Sequence, residues 1–112
     1  MNIIWIDMEQ EFIVPEKSPN DDRQYQAIEL PNKLKLLLIH DEKAEKGACS
    51  VSVGVGSLMD GESSLGLAHF LEHMLFMGSE KYPRHNEYSE FISLNSGTDN
   101  AYTSDDETNY QF

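Results

Sequence analysis

Three side chains that can hold a metal and move a proton fall within five residues, His69-Phe70-Leu71-Glu72-His73. On a helix, with about 100° between successive residues, His69 and His73 lie roughly 40° apart and one turn from each other. Glu72 lies about 60° to the other side of His69, so the three share one narrow stripe. Two imidazoles at i and i+4 are spaced to bind one Zn²⁺ at about 2.0–2.1 Å each. A zinc ion with an open position lowers the pKa of a water towards about 7. A carboxylate beside the ligands can take that water's proton as it attacks a carbonyl, then return it to the leaving amine. His69 and His73 are therefore the candidate metal ligands and Glu72 the candidate general base. A purely orienting role for Glu72 behind the ligands is the alternative that the spacing leaves open.

The other residues from Leu67 to Met77 are apolar, and Phe76 even lies on the histidine stripe. A helix of that kind is expected to be buried on most sides. Burying two imidazoles and a carboxylate without partners costs on the order of several kcal/mol, and a bound divalent cation offsets that cost directly. A core network of satisfied histidines competes with this reading, but three such groups on one stripe favour the metal. His40 and His85 fall at a strand end and in a loop and are expected on the surface.

The elements that position this stripe follow from pattern. Residues 1–24, with Pro15, Pro19, Asn20, Asp21 and Asp22, form an irregular lead-in, with a short strand near Phe12-Ile13-Val14. Tyr25 to Leu30 and Leu34 to His40 flank Pro31-Asn32 and predict a β-hairpin. Asp41 to Gly47 is a charged loop. Ala48 to Gly56 alternates, with Val51, Val53 and Val55 on one face and Ser50, Ser52, Gly54 and Gly56 on the other. The bare face allows another element to approach closely. A linker from Ser57 to Ser64 leads to a helix from Gly66 to Met77, ended by Gly78 at C′. A second helix runs from Asn86, as N-cap, to Ser96, with Gly97 closing it, and presents Tyr88, Phe91 and Ile92 on one face. Thr98 to Phe112 predicts a second hairpin around Asp105-Asp106-Glu107. Strands, then helices, then strands predict an α+β fold, a largely antiparallel sheet layered with helices.

The 112 residues fit one small domain, and 39% hydrophobic with 25% charged residues is a globular composition. Twenty acidic against eight basic residues give a formal net charge of −12, which repels nucleic acid and anionic membranes and favours cationic partners or peptides. The single cysteine, Cys49, excludes an internal disulfide and suggests a reducing compartment. Met1 to Asp7 lacks a basic stretch, and its apolar run is too short for a signal or a membrane span, so a cytoplasmic location is expected.

The order His-x-x-Glu-His inverts the commoner His-Glu-x-x-His and is that of the inverzincins. Gly66 to Phe112 closely resembles the amino-terminal domain of the insulin-degrading enzyme and nardilysin branch of the pitrilysin (M16) metallopeptidases. Ser18 to Asp41 is similar to that family's opening strands, so the resemblance covers Lys17 to Phe112. It implies Zn²⁺ as cofactor, His69 and His73 as ligands, Glu72 as base and a peptide or polypeptide as substrate. It also implies that Asn100, Ala101, Tyr102 and Thr103 form the edge strand that pairs with an extended substrate. The family's third zinc ligand is a glutamate on a later helix, at a position beyond Phe112, and nothing places Glu80, Glu87, Glu90 or Glu107 in its stead. Residues 25–112 thus read as the amino-terminal part of a truncated metallopeptidase domain. Two functions are expected from it. One is a zinc metalloendopeptidase module, weak or inactive alone. The other is an inactive fragment that binds peptide, a complementary chain or a full-length relative through exposed sheet edges.

Overall fold

Apolar runs on either side of Pro31-Asn32 pair as their pattern requires. In this computed structural model, which describes residues 16–112, β1 (Gln24–Glu29) and β2 (Lys35–His40) are antiparallel, in register from Gln24↔His40 to Glu29↔Lys35. Lys33 takes a left-handed conformation, φ 72°, and donates its amide to Leu30 O at 2.8 Å, closing a three-residue loop. The strand expected near Phe12-Ile13-Val14 lies outside the described residues. Just ahead of β1, the Asp21 carboxylate accepts two bonds from the Arg23 guanidinium, at 2.8 and 2.7 Å, and one from the Tyr25 hydroxyl at 2.6 Å. The Arg23 bonds, then the Tyr25 bond, hold Asp21 well below the usual carboxylate range.

The described residues divide after Lys46 into two units, and the second carries the histidine stripe. It contains β3 (Ser50–Val53), a 3-10 turn (Ser57–Met59), α1 (Leu67–Leu75), α2 (Glu87–Leu94), β4 (Asn100–Thr103) and β5 (Thr108–Gln111). The three strands form an antiparallel sheet in the order β3-β5-β4. The α+β fold, antiparallel sheets with helices, is as expected.

β3 is shorter than the alternation suggests. Cys49 and Phe112 extend its ladder by exchanging bonds of 2.6 and 3.0 Å, but the Val55 amide turns back onto Val53 O at 2.7 Å and ends the pairing. The close approach expected on the bare face occurs at Gly56, where any Cβ would collide with the backbone of Ser104, Asp105 and Asp106.

α1 begins at Leu67 with a cap supplied from outside the helix. The Asp60 carboxylate accepts the amides of Gly66 at 2.7 Å and Ala68 at 3.0 Å. The helix ends at Leu75, so Gly78 lies beyond the expected C′ position. Its φ of 119° and the Tyr82 carbonyl, 2.9 Å from where a Cβ would sit, still require glycine there. α2 is closed by Ser96 rather than Gly97. Ser96 adopts φ 54°, its amide meets Ser93 O at 3.0 Å, and the Gly97 amide meets Ile92 O at 2.9 Å, the two bonds of a Schellman turn. Asn86 stands at the N-cap of α2 but makes no side-chain capping bond. Of its expected apolar face, Tyr88 and Ile92 are half-buried, whereas Phe91 is exposed.

The burial expected of α1 is inverted. Leu67, Phe70, Leu71, Met74 and Leu75 are exposed, Phe70 by 62%, while Glu72 is the buried residue of the helix at 7%. The physical reason is one-sided packing: within this unit α1 meets β4, β5 and the 3-10 turn. The sheet covers the Glu72 side, where the Glu72 carboxylate bonds to Thr103 of β4.

Candidate active site

α1 brings the three residues of the stripe together as the helical spacing requires. The Nε2 atoms of His69 and His73 face each other at 3.0 Å, with ring centroids 4.7 Å apart and planes tilted by 45°. One donor atom from each of His69, Glu72 and His73 falls within a mutual distance of 4.8 Å. Both imidazoles are exposed, so desolvation does not force them together. Converging nitrogen lone pairs beside a carboxylate fit the chemistry of a zinc donor set.

Glu72 is held from the sheet. The Thr103 hydroxyl donates to Glu72 Oε2 at 2.6 Å. Thr103 lies opposite Thr108 in the ladder, and the buried Thr108 hydroxyl donates to Val55 O at 2.8 Å. Tyr110 stands two residues further along β5. Burial first, and the Glu72 charge second, raise its hydroxyl above the usual tyrosine value. Its ring meets Phe76, which in turn meets Tyr88 of α2, with centroids 6.3 and 5.8 Å apart.

The hydrogen-bond pattern gives the orientation of β4. Cys49 and Phe112 form a bonded pair, so Thr108 and Tyr110 also direct their amides and carbonyls to β3. Ser104 N donates to Glu107 O at 2.8 Å on the other side, so Tyr102 and Asn100 bond to β5. The backbone groups of Ala101 and Thr103 therefore face the outer edge of the sheet, which no other strand covers among the described residues. The same alternation places the side chains of Ala101 and Thr103 on the α1 face and those of Asn100 and Tyr102 on the opposite one. Tyr102 donates to Glu107 Oε1 at 3.0 Å.

Among the described residues no further carboxylate joins the cluster. Glu107 is engaged by Tyr102, and Glu87 and Glu90 lie 3.7 and 3.6 Å from the Arg84 guanidinium. Glu80 is exposed, as are His40 and His85, the last with Nδ1 3.1 Å from Met77 O. Two contacts are not foreseen from the sequence. Asp60 caps α1 from six residues upstream, outside the spacing of a local capping box, and Asp60-Gly61 looks like an ordinary turn. The Thr103 side chain reaches Glu72 across 31 residues of chain, a contact with no local signature.

A sequence profile of insulinase (peptidase family M16) matches residues 35–112. The A-factor-processing enzyme of Saccharomyces cerevisiae is 56% identical over 92 residues, 82% of this chain and 9% of the relative. The insulin-degrading enzyme of Homo sapiens is 50% identical over 96 residues, 86% of this chain and 9% of the relative. The crystal structure of pitrilysin superposes with a TM-score of 0.81 at 43% identity, over 91% of this chain and 11% of that one. The chain thus spans about a tenth of the length of these relatives.

Proposed function

Since the chain belongs to the insulinase family of metallopeptidases, peptidase family M16, we propose that it carries the zinc-binding and proton-transfer part of a metalloendopeptidase site. His69 and His73 hold Zn²⁺ through Nε2, and Glu72 is the general base. The observation that carries this reading is the convergence of two Nε2 atoms, 3.0 Å apart, beside a buried carboxylate on the same helix. A bound zinc ion supplies Lewis acidity, polarising the scissile carbonyl and making water acidic enough to attack. Glu72 accepts the proton of the attacking water and delivers it to the amine that leaves. An extended peptide adds to the outer edge of β4, where the backbone groups of Ala101 and Thr103 supply the pairing. Asn100 and Tyr102, on the opposite face, complete the strand. The substrate class is peptide or polypeptide, in keeping with the names of the insulin-degrading and A-factor-processing relatives.

Residues 25–112 belong, in this reading, to a larger metallopeptidase domain preceded by a lead-in at 1–24, and the working compartment is the cytoplasm. The matched relatives are about ten times longer, so the remaining zinc donor and the walls around the substrate come from polypeptide outside this share. The 112 residues alone therefore turn over slowly or not at all. Exposed sheet edges support a second reading, a module that binds peptide or a full-length relative without chemistry.

A thermal melt with and without zinc separates these readings when paired with cleavage of a quenched fluorescent peptide. Zinc at about 100 times its Kd stabilises by about 2.7 kcal/mol. That shift is expected for the wild-type chain and Glu72→Gln, and is expected to vanish for His69→Ala and His73→Ala. Any cleavage is expected to disappear with Glu72→Gln. A wild-type melt indifferent to zinc refutes the metal site, and peptide binding without zinc dependence then favours the second reading.

A further inference from the structure

The assignment of Glu72 as a base requires that its carboxylate stay off the metal, although one of its oxygens lies within 4.8 Å of a ring nitrogen of each histidine, close enough to compete for the cation. We propose that Thr103 is the positioning residue that prevents this: its hydroxyl ties Glu72 Oε2 to β4 and keeps the carboxylate from becoming a third ligand. The inference rests on the metal site proposed above and adds the device that keeps ligand and base distinct.

Three observations support it. The Thr103 bond, at 2.6 Å, is the short, charge-assisted kind, and among the described residues it is the hydrogen bond that meets Glu72. A threonine hydroxyl has one proton. Thr108 donates its own to Val55 O at 2.8 Å and lies 3.5 Å from Thr103 Oγ1, so it does not compete for the Thr103 proton's destination. Thr103 is also β-branched and on a paired strand, which restricts its χ1 and fixes where the hydroxyl points. The donor is rigid, whereas the flexible partner is the glutamate. Without that donor, a buried carboxylate loses its hydrogen bond and moves to the nearest centre that compensates its charge.

The test is metal affinity and the visible d–d spectrum of the Co²⁺-loaded 112-residue protein. Thr103→Val, which keeps the shape and removes the hydroxyl, is expected to bind the metal about tenfold more tightly and to change the cobalt spectrum as a carboxylate enters. Thr103→Ser, which restores the donor, is expected to match wild type in both. The double variant Thr103→Val/Glu72→Gln is expected to bind metal as Glu72→Gln does. Wild type against Glu72→Gln gives a comparison independent of the folding of any Thr103 variant. Replacing Glu72 by Gln should leave the cobalt bands in place if the carboxylate is held off, and should shift them if it already ligates. Thr103→Val indistinguishable from wild type, or a shift of the bands on Glu72→Gln alone, overturns the inference while leaving the histidine site intact. No metal binding by wild type overturns both.

Discussion

Asp60 decides how firmly the stripe is presented, and its removal gives a measurable loss. Its two carboxylate oxygens take the amides of Gly66 and Ala68, at 2.7 and 3.0 Å, at the positively polarised end of α1. Asp60→Ala leaves these amides to water. Loss of a capping side chain costs about 1 kcal/mol, and loss of a negative charge at a helix start adds roughly 0.3–1 kcal/mol, so about 1–2 kcal/mol is expected. For a unit of this size that is a fall in Tm of roughly 5–15 °C. Asp60→Asn keeps one acceptor oxygen and loses the charge, and is expected to fall about halfway. The assay is a far-ultraviolet circular dichroism melt of the three proteins at low and high salt, where added salt shrinks only the charge part of the difference. Zinc affinity is expected to follow, because His69 is the third residue of α1 and frays with the first turn, while His73 does not. Asp60→Ala melting within about 2 °C of wild type would refute the capping argument. So would Asp60→Asn losing as much as Asp60→Ala at high salt.

Two further perturbations probe the frame around the site. Gly56→Ala forces a methyl into the backbone of Ser104 to Asp106, which cannot retreat without breaking the Ser57 and Leu58 amide bonds to Ser104 O and Asp105 O, both 2.9 Å. It is expected to destabilise the second unit by about 1–3 kcal/mol, read as a lower urea midpoint at unchanged slope. Asp21→Asn tests the first unit through its pH dependence. Asp21 is depressed in the fold, so its contribution is present above the ordinary aspartate value, about 3.9, and is lost as pH falls through the depressed one. Amide exchange in the β1-β2 ladder should therefore be faster in the variant at neutral pH, with the two proteins converging as pH falls below about 4. A pH-independent difference would exclude the Arg23-Tyr25 pairing as its source.

Much of the secondary structure was legible because its signals are local. Pro31-Asn32 and Asp105-Asp106 mark both hairpins, and the long, evenly apolar run from Gly66 to Met77 places the His69-Glu72-His73 stripe on a helix. What was hidden depends on residues distant in sequence, or on geometry that composition does not encode. The left-handed stop of α2 fell on Ser96 although the glycine beside it is the better former of that conformation. The Val55 amide ended β3 early by turning back on its own strand. Phe91, at the right helical spacing to be core, faces water because the contact of α2 runs through Tyr88 and Phe76.

The most instructive difference concerns why a metal belongs here. From sequence, a polar triplet on an apolar helix needs a cation to make its burial tolerable. In the structure the apolar residues of α1 are the exposed ones, both imidazoles are in water, and burial falls on Glu72 alone. Within the described residues, burial is therefore not the observation that supports a metal at His69 and His73. Their support is directional: two ring nitrogens aimed at one point 3.0 Å apart, where neutral imidazoles share at most one proton between them and a divalent cation satisfies both. The desolvation cost is real but belongs to the carboxylate, and it is met by the Thr103 hydroxyl. On one stripe of α1, the two exposed imidazoles stand beside a carboxylate that is buried and tied to β4, so the groups proposed as ligands and as base share a site but differ in how each is held.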